Sequence, residues 1–171
     1  MSDVSRRHLI GAGAAGAAVA SSGIVYAAQE RSTSMDIERL GITRAGARLG
    51  PVTITEGAVA KGDVPVISLV SVHKDIVHLC GVTADPGHPG DVKDQTRQVL
   101  DRIDQLLLLS GTSKSKLLTA QVWLADMGHF ADHNRVWNGW VDADNPPARC
   151  CIEARLWRPE LLVEIMVTAA R

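Results

Sequence analysis

Aromatic residues are scarce in this chain, at 4 % of 171 residues, and tyrosine is nearly missing. The single tyrosine, Tyr26, falls in an N-terminal stretch that reads as a removable leader, so a mature chain has no tyrosine to offer a pocket. An excess of one charge is also lacking. The 18 Lys and Arg against 19 Asp and Glu give a formal net charge of -1, which leaves no electrostatic footprint for nucleic acid. Without a basic, aromatic surface, ribonuclease activity has little to support it. No run of about 18 apolar residues occurs without Gly spacing, so no permanent membrane span is predicted. The three cysteines are Cys80, Cys150 and Cys151, and an odd number makes no closed disulfide framework. Cys150 and Cys151 are neighbours on a predicted strand and would face opposite sides of it, which makes them poor partners for each other.

What is present suits one globular domain: 46 % hydrophobic and 22 % charged residues. The N-terminus carries Ser5-Arg6-Arg7-His8-Leu9-Ile10, a twin-arginine start, followed by an Ala/Gly-rich, weakly hydrophobic run from Gly11 to Gly23. Val25 and Ala27 fit the -3 and -1 positions of a cleavage site. Residues 1–27 are therefore expected to be a twin-arginine signal peptide, 28–50 a linker and loosely packed arm, and 51–171 the folded domain. The expected location is periplasmic or exported, reached by a chain that folds before it crosses the membrane.

Within the domain, Val64 to Val72 is β-branched and strand-like, His73-Lys74-Asp75 turns, and Ile76 to Val82 returns as a second strand. Breakers fill Asp85-Pro86-Gly87-His88-Pro89-Gly90. Asp91 fits a helix N-cap. Val92, Thr96, Val99, Leu100, Ile103, Leu106 and Leu107 follow at helical spacing, and Gly111 closes the helix. Leu117 to Ala125 is a third strand. Asp126 caps a second helix with Phe130, Trp137, Trp140 and Val141 on its inner face. His129 and His133, four apart on that helix, have zinc-binding spacing but no third ligand, so they read as solvent-facing and no metal is expected. Two final strands complete the order β-β-α-β-α-β-β. That order describes an α+β fold, a mixed sheet with two helices on one face. The other face needs cover, and a further subunit is the expected source.

The last two strands hold charge in apolar surroundings. In Leu161-Leu162-Val163-Glu164-Ile165-Met166-Val167 both faces of the pleat are apolar apart from Glu164, and a carboxylate there is costly unless paired or used. Arg149, in Pro146-Pro147-Ala148-Arg149-Cys150-Cys151-Ile152, is the nearest cationic counterpart. If a tight hairpin near Trp157–Glu160 joined the two strands, Arg149 would pair near Thr168, four residues or roughly 13 Å from Glu164. A pocket that draws groups from two subunits, or holds a ligand between them, is easier to build than a direct ion pair.

Four segments together resemble the Rid family (RidA, also called YjgF). They are Gly90-Asp91-Val92-Lys93-Asp94-Gln95-Thr96-Arg97-Gln98-Val99-Leu100, Val122-Trp123-Leu124-Ala125-Asp126-Met127, Asn145-Pro146-Pro147-Ala148-Arg149 and Val163-Glu164-Ile165. The resemblance covers roughly residues 64–170. It implies a chorismate-mutase-like fold and a homotrimer with ligand pockets between subunits. It also implies hydrolysis of reactive 2-imino acids to 2-keto acids and ammonia, with no cofactor. On this resemblance Arg149 matches the arginine that holds a small-molecule carboxylate, and Glu164 the glutamate that positions or deprotonates the attacking water. Gly81 matches a glycine whose amide meets the ligand, while Asn134 and Cys151 match pocket residues. Cys80 stands where the family has serine, Val82 where it has glutamine, and Gly50-Pro51-Val52 lacks the tyrosine of the family's Gly-Pro-Tyr motif. These departures keep a second possibility open: a non-catalytic, small-carboxylate-binding or stress-protective protein on the same scaffold. A Cys80–Cys151 disulfide across the pocket is a further possibility on this resemblance.

Overall fold

The computed structural model describes residues 37–42 and 65–171. The expected leader (1–27) and the start of the expected domain (51–64) lie outside the described residues. The expectation for 28–50 needs correction, because Ile37–Ile42 forms strand β1, antiparallel to β2 (Ser68–His73) with Leu40 opposite Val70. Leu40 is buried in the core, and Arg171 reaches Glu38 at 2.9 Å. One buried leucine among charged neighbours is a weak pattern, and the strand is held by its pairing along β2.

The expected turn follows β2, with Lys74 in the left-handed region (φ 52°) and His73 opposite Ile76. The second predicted strand is split into β3 (Ile76–Leu79) and β4 (Val82–Thr83). Both pair antiparallel with β7 (Val163–Ala170), at His78–Thr168 and at Val82–Ile165. Between those pairs the β3–β4 side advances four residues and β7 three. The extra residue is a bulge at Cys80-Gly81, and it flips the side-chain alternation: Val77, Leu79 and Val82 are all buried on one face.

Strand β5 (Leu117–Leu124) runs antiparallel to β7 on one side and parallel to the edge strand β6 (Ala148–Glu153) on the other. The sheet order is β1-β2-β3-β7-β5-β6, with β4 also on β7. The last two strands are therefore not joined by a tight hairpin. β5 lies between β6 and β7, and residues 154–162 make the longer crossing.

Helix α1 (Val92–Leu109) starts where expected, with the Asp91 carboxylate accepting from the Lys93 and Asp94 amides at 2.8 and 2.9 Å. Gly111, at φ 75°, closes it. Val99, Leu100, Ile103, Leu106 and Leu107 pack on Val77, Leu79, Val122, Leu124, Val163, Ile165 and Val167 of the sheet. Asp126 opens a 3-10 turn (Met127–His129), and α2 (Phe130–Trp140) follows. Two expectations for α2 fail. Phe130 is 41 % exposed, and His133 is fully buried against α1, because the 3-10 turn ahead of the helix sets which stripe faces inward. Among the described residues no helix is long and apolar enough to cross a membrane, and no cluster of ligands could hold a metal ion.

Gln95 is buried in α1 and ties the helix to the entry of β7. Its amide donates to Glu160 O (2.9 Å) and Gly90 O (3.2 Å), and its oxygen accepts from Leu162 N–H (2.8 Å). Gln95→Leu keeps the volume but orphans those backbone groups. It should lower stability by about 2–4 kcal/mol, seen as a lower urea midpoint with an unchanged slope.

Candidate functional site

Register places Arg149, Cys151 and Glu164, while Asn134 sits on α2 and Cys80-Gly81 at the bulge. Arg149 pairs with Ala120 and Cys151 with Val122, while Ala120 also faces Val167. Ala120, Val122 and Val167 are buried under the helices, so Arg149 and Cys151 project to the helix-covered face. Glu164 pairs with Trp123, which pairs with Ile152, and these three project to the opposite, open face. The expected residues thus form two groups on opposite sides of one sheet.

The first group lies along the seam between β6 and α2. Arg149 Nη1 donates to Asn134 Oδ1 at 2.8 Å. Its guanidinium carbon lies 4.8 Å from the centre of the Trp137 ring. Nε and Nη2 are buried with no oxygen or nitrogen acceptor among the described residues, and the Cys151 thiol lies against the same guanidinium. In a guanidinium these two N–H groups point the same way and form the edge that grips a carboxylate through two parallel bonds. Leaving both donors buried and empty costs about 1–3 kcal/mol each. Burial works against the charge of Arg149 and pulls its pKa below the ordinary arginine value. The Cys151 thiol is pushed up by burial, with Arg149 acting in the opposite direction.

His133 completes this side. Thr96 Oγ1 donates to Val92 O at 2.6 Å, so its contact with His133 Nδ1 at 3.2 Å must be a bond donated by the imidazole. That fixes the proton on Nδ1 and leaves the buried Nε2 as an unpartnered acceptor. Burial first, and the charge of Arg149 second, push the His133 pKa down to about 4. Neither His133 nor Trp137 was singled out from sequence as a site residue. The available signal was their i,i+4 spacing with Asn134 between them, on the helix whose asparagine was already singled out.

The second group forms at the bulge. Gly81 packs directly under the Glu164 side chain, where a methyl group would overlap the carboxylate oxygen. The Cys80 thiol is pushed up to about 11, by burial and then by the neighbouring Glu164 charge. Burial also raises the Glu164 pKa. The Glu164 side chain has no hydrogen bond or ion pair among the described residues, although its backbone is paired in the ladder. Its carboxylate is partly desolvated and uncompensated, and Gly81 is the residue type that leaves room for it. The three thiols of Cys80, Cys150 and Cys151 are free, and the possible Cys80–Cys151 bridge does not form within one chain. A separate cavity of about 770 Å³, lined by Glu153, Arg155, Trp157, Arg158 and neighbours, contains none of the expected site residues.

A mixed sheet with two helices on one face defines the class as an α+β fold, with an arginine fork at one edge strand and a glutamate beside a glycine bulge. The comparisons with known proteins name the family. A family model described as Endoribonuclease L-PSP matches residues 65–171, and the chain belongs to that family. It is 40 % identical over 103 residues to a RutC family protein of Haemophilus influenzae, covering 60 % of this chain and 89 % of the relative. It is 37 % identical over 101 residues to the RutC family protein YoaB of Escherichia coli, covering 59 % of this chain and 87 % of the relative. Among solved structures, a YjgF-family protein of Neisseria meningitidis superposes with a TM-score of 0.60 at 40 % identity, over 64 % of this chain and 91 % of that one. A Rid-family protein of unknown function from Yersinia pestis gives 0.57 at 27 % identity, over 66 % of this chain and 90 % of that one. The expected Rid resemblance and fold both hold, and β1 lies outside the matched span.

Two predictions follow from the electrostatics. Glu164→Gln removes an uncompensated carboxylate, so the melting temperature should stay the same or rise; a clear fall in melting temperature would mean a structural role. His133 is held neutral in the fold with its pKa near 4, against an ordinary 6.5, so the unfolded chain binds the extra proton between those values. Stability should therefore be complete above pH 6.5 and fall by up to about 3 kcal/mol as pH drops toward 4. His133→Gln should flatten that part of the denaturation profile.

Proposed function

We propose that this chain is an exported, homotrimeric imine deaminase of the Rid family, hydrolysing 2-imino acids to 2-keto acids and ammonia. The observation that carries the reading is the vacant, buried Nε–Nη2 edge of Arg149. A planar carboxylate is the ligand group that satisfies both donors at once, and an arginine already neutralised by an acidic side chain would not offer them. The reaction needs no more than this protein's own groups and water. Arg149 holds the substrate carboxylate. Glu164 accepts a proton from water as its oxygen attacks the imine carbon. That proton passes to the imine nitrogen to give the carbinolamine, whose hydroxyl proton then transfers through Glu164 to the same nitrogen as the C–N bond breaks, releasing ammonia and leaving the keto acid. A raised carboxyl pKa suits Glu164 to a base that works near neutral pH. The Gly81 amide, Cys80, Asn134 and Cys151 line the site.

Arg149 and Glu164 project from opposite faces of one sheet, so one subunit's arginine would meet another subunit's glutamate across a shared pocket. The open face supports assembly: Ile152 is 51 % and Leu118 43 % exposed there, alongside half-buried Trp123 and Met166. Residues 1–27 are proposed as the twin-arginine leader that directs the folded protein to the periplasm. The folded domain is proposed to include β1 with residues 65–171.

One observation favours a second reading, a non-catalytic binder of small carboxylates. The position that is serine in the deaminases is Cys80, and its thiol, held near 11, is a poor hydrogen-bond donor and stays protonated. The test is to generate 2-iminobutyrate in situ with an amino-acid oxidase and follow release of 2-oxobutanoate. The wild type should accelerate release, and Arg149→Ala should lower kcat/KM by at least about a hundredfold. Calorimetric binding of 2-oxobutanoate without acceleration selects the binder; neither binding nor acceleration removes both readings.

A further inference from the structure

Arg149 is a long, flexible side chain on an edge strand, yet it occupies a single groove with one nitrogen used and two left vacant. The groups that hold it there form a chain from α1 to β6. Thr96, itself anchored on Val92 O, receives the His133 Nδ1 proton. The His133 ring lies 6.4 Å from Trp137, tilted by 34°. Trp137 in turn has Trp140 at 5.3 Å on another side, and Trp140 is fixed by its indole N–H bond to Asp104 at 2.8 Å. Trp137 is only 4 % exposed and cannot swing away. On this clamped ring the guanidinium rests at 4.8 Å, with Asn134 taking Nη1.

We propose that Trp137 is a positioning residue for Arg149: its indole face, clamped by His133 and Trp140, holds the guanidinium so that Asn134 occupies Nη1 and the Nε–Nη2 edge stays open for an anion. Two properties of the arrangement make this more than core packing. A tryptophan face attracts a cation without using any of its N–H donors, so it fixes Arg149 while leaving the fork vacant, which a carboxylate partner could not do. Of the other neighbours of Arg149, His133 is buried and already bonded to Thr96, so it adds no second cation to compete for the ligand, and Cys151 brings a thiol, not a carboxylate. Asn134 accepts from one nitrogen and thereby sets the rotation of the guanidinium plane. A neutral acceptor there does not satisfy the positive charge. The energetic role of the stack is pre-organisation: it is in place before the ligand arrives, so the ordering of a flexible arginine is not charged against binding.

This proposal rests on the reading of Arg149 as a carboxylate anchor, and the experiment separates the two. The full-length protein is compared with Trp137→Phe, Trp137→Leu and Asn134→Ala. The first readout needs no ligand: the Arg149 side-chain Nε–H resonance, identified by its loss in Arg149→Lys, should be shifted by the indole ring current and protected from solvent exchange. Trp137→Phe should keep the protection, while Trp137→Leu should lose both the shift and the protection. If Trp137→Leu does not fold, Asn134→Ala takes its place, with protection lost but the ring-current shift kept. The second readout is calorimetric binding of 2-oxobutanoate, with 2-butanone as the control lacking a carboxylate. Binding should weaken about tenfold in Trp137→Leu and no more than about threefold in Trp137→Phe. An Arg149 resonance as protected in Trp137→Leu as in wild type, or in the Asn134→Ala substitute a resonance without the ring-current shift, overturns the positioning role whatever the binding shows. An intact stack in a wild type that does not bind 2-oxobutanoate upholds the positioning role and removes the carboxylate reading instead.

Discussion

The placement of β5 between β6 and β7 governs where the charges of this protein end up. Among the described residues, β5 is the only strand that pairs with both of the strands carrying Arg149 and Glu164, parallel to one and antiparallel to the other. Because the side-chain period is two, the register through Ala120 and Trp123 sends Arg149 under the helices and Glu164 to the open face. A slip of one residue in either ladder would reverse one of the two. The sheet therefore keeps Arg149 and Glu164 of one chain from neutralising each other.

Each face then meets the cost of its charge differently. On the helix side a cation is tolerated because an aromatic face and one amide oxygen surround it, and neither cancels its charge. On the open side a carboxylate is tolerated because the bulge replaces a side chain with Gly81, leaving room but no partner. The bulge also lets Val82 return to the core after the interruption, so the hydrophobic layer beneath α1 stays continuous. The core strands β5 and β7 bury Val122, Leu124, Val163, Ile165 and Val167 on one face, and β5 carries a register shift of its own between Leu117 and Thr119.

The fold class was legible in the sequence where periodicity was strong. The α1 stripe from Val92 to Leu107, its Asp91 cap and the Gly111 stop all appear as read, since they depend on local chemistry alone. Arg149, Asn134 and Cys151 fall together, as do Cys80, Gly81 and Glu164. What could not be read was sheet order. The two C-terminal strands follow each other in the chain, and only tertiary pairing shows that β5 separates them. Strand β1 was hidden for a related reason, because a six-residue strand with one core leucine owes its existence to β2. His133 looked like a surface residue because its burial depends on a 3-10 turn that shifts the helix phase and on a threonine thirty-seven residues away.

The unsatisfied atoms follow from this arrangement. Natural cores leave few buried polar groups unpaired, yet Arg149 Nε, Arg149 Nη2 and His133 Nε2 are all unpaired along the α2–β6 seam. A purely structural ion pair would have filled them, since a carboxylate reaching Arg149 from the same chain would gain more stability than an empty fork. Glu164 is the natural candidate for that partner, and the register denies it access. The same chain thus carries an unspent cation on one face and an unspent anion on the other. Two charges kept apart in this way are a poor design for a fold that has only itself to stabilise.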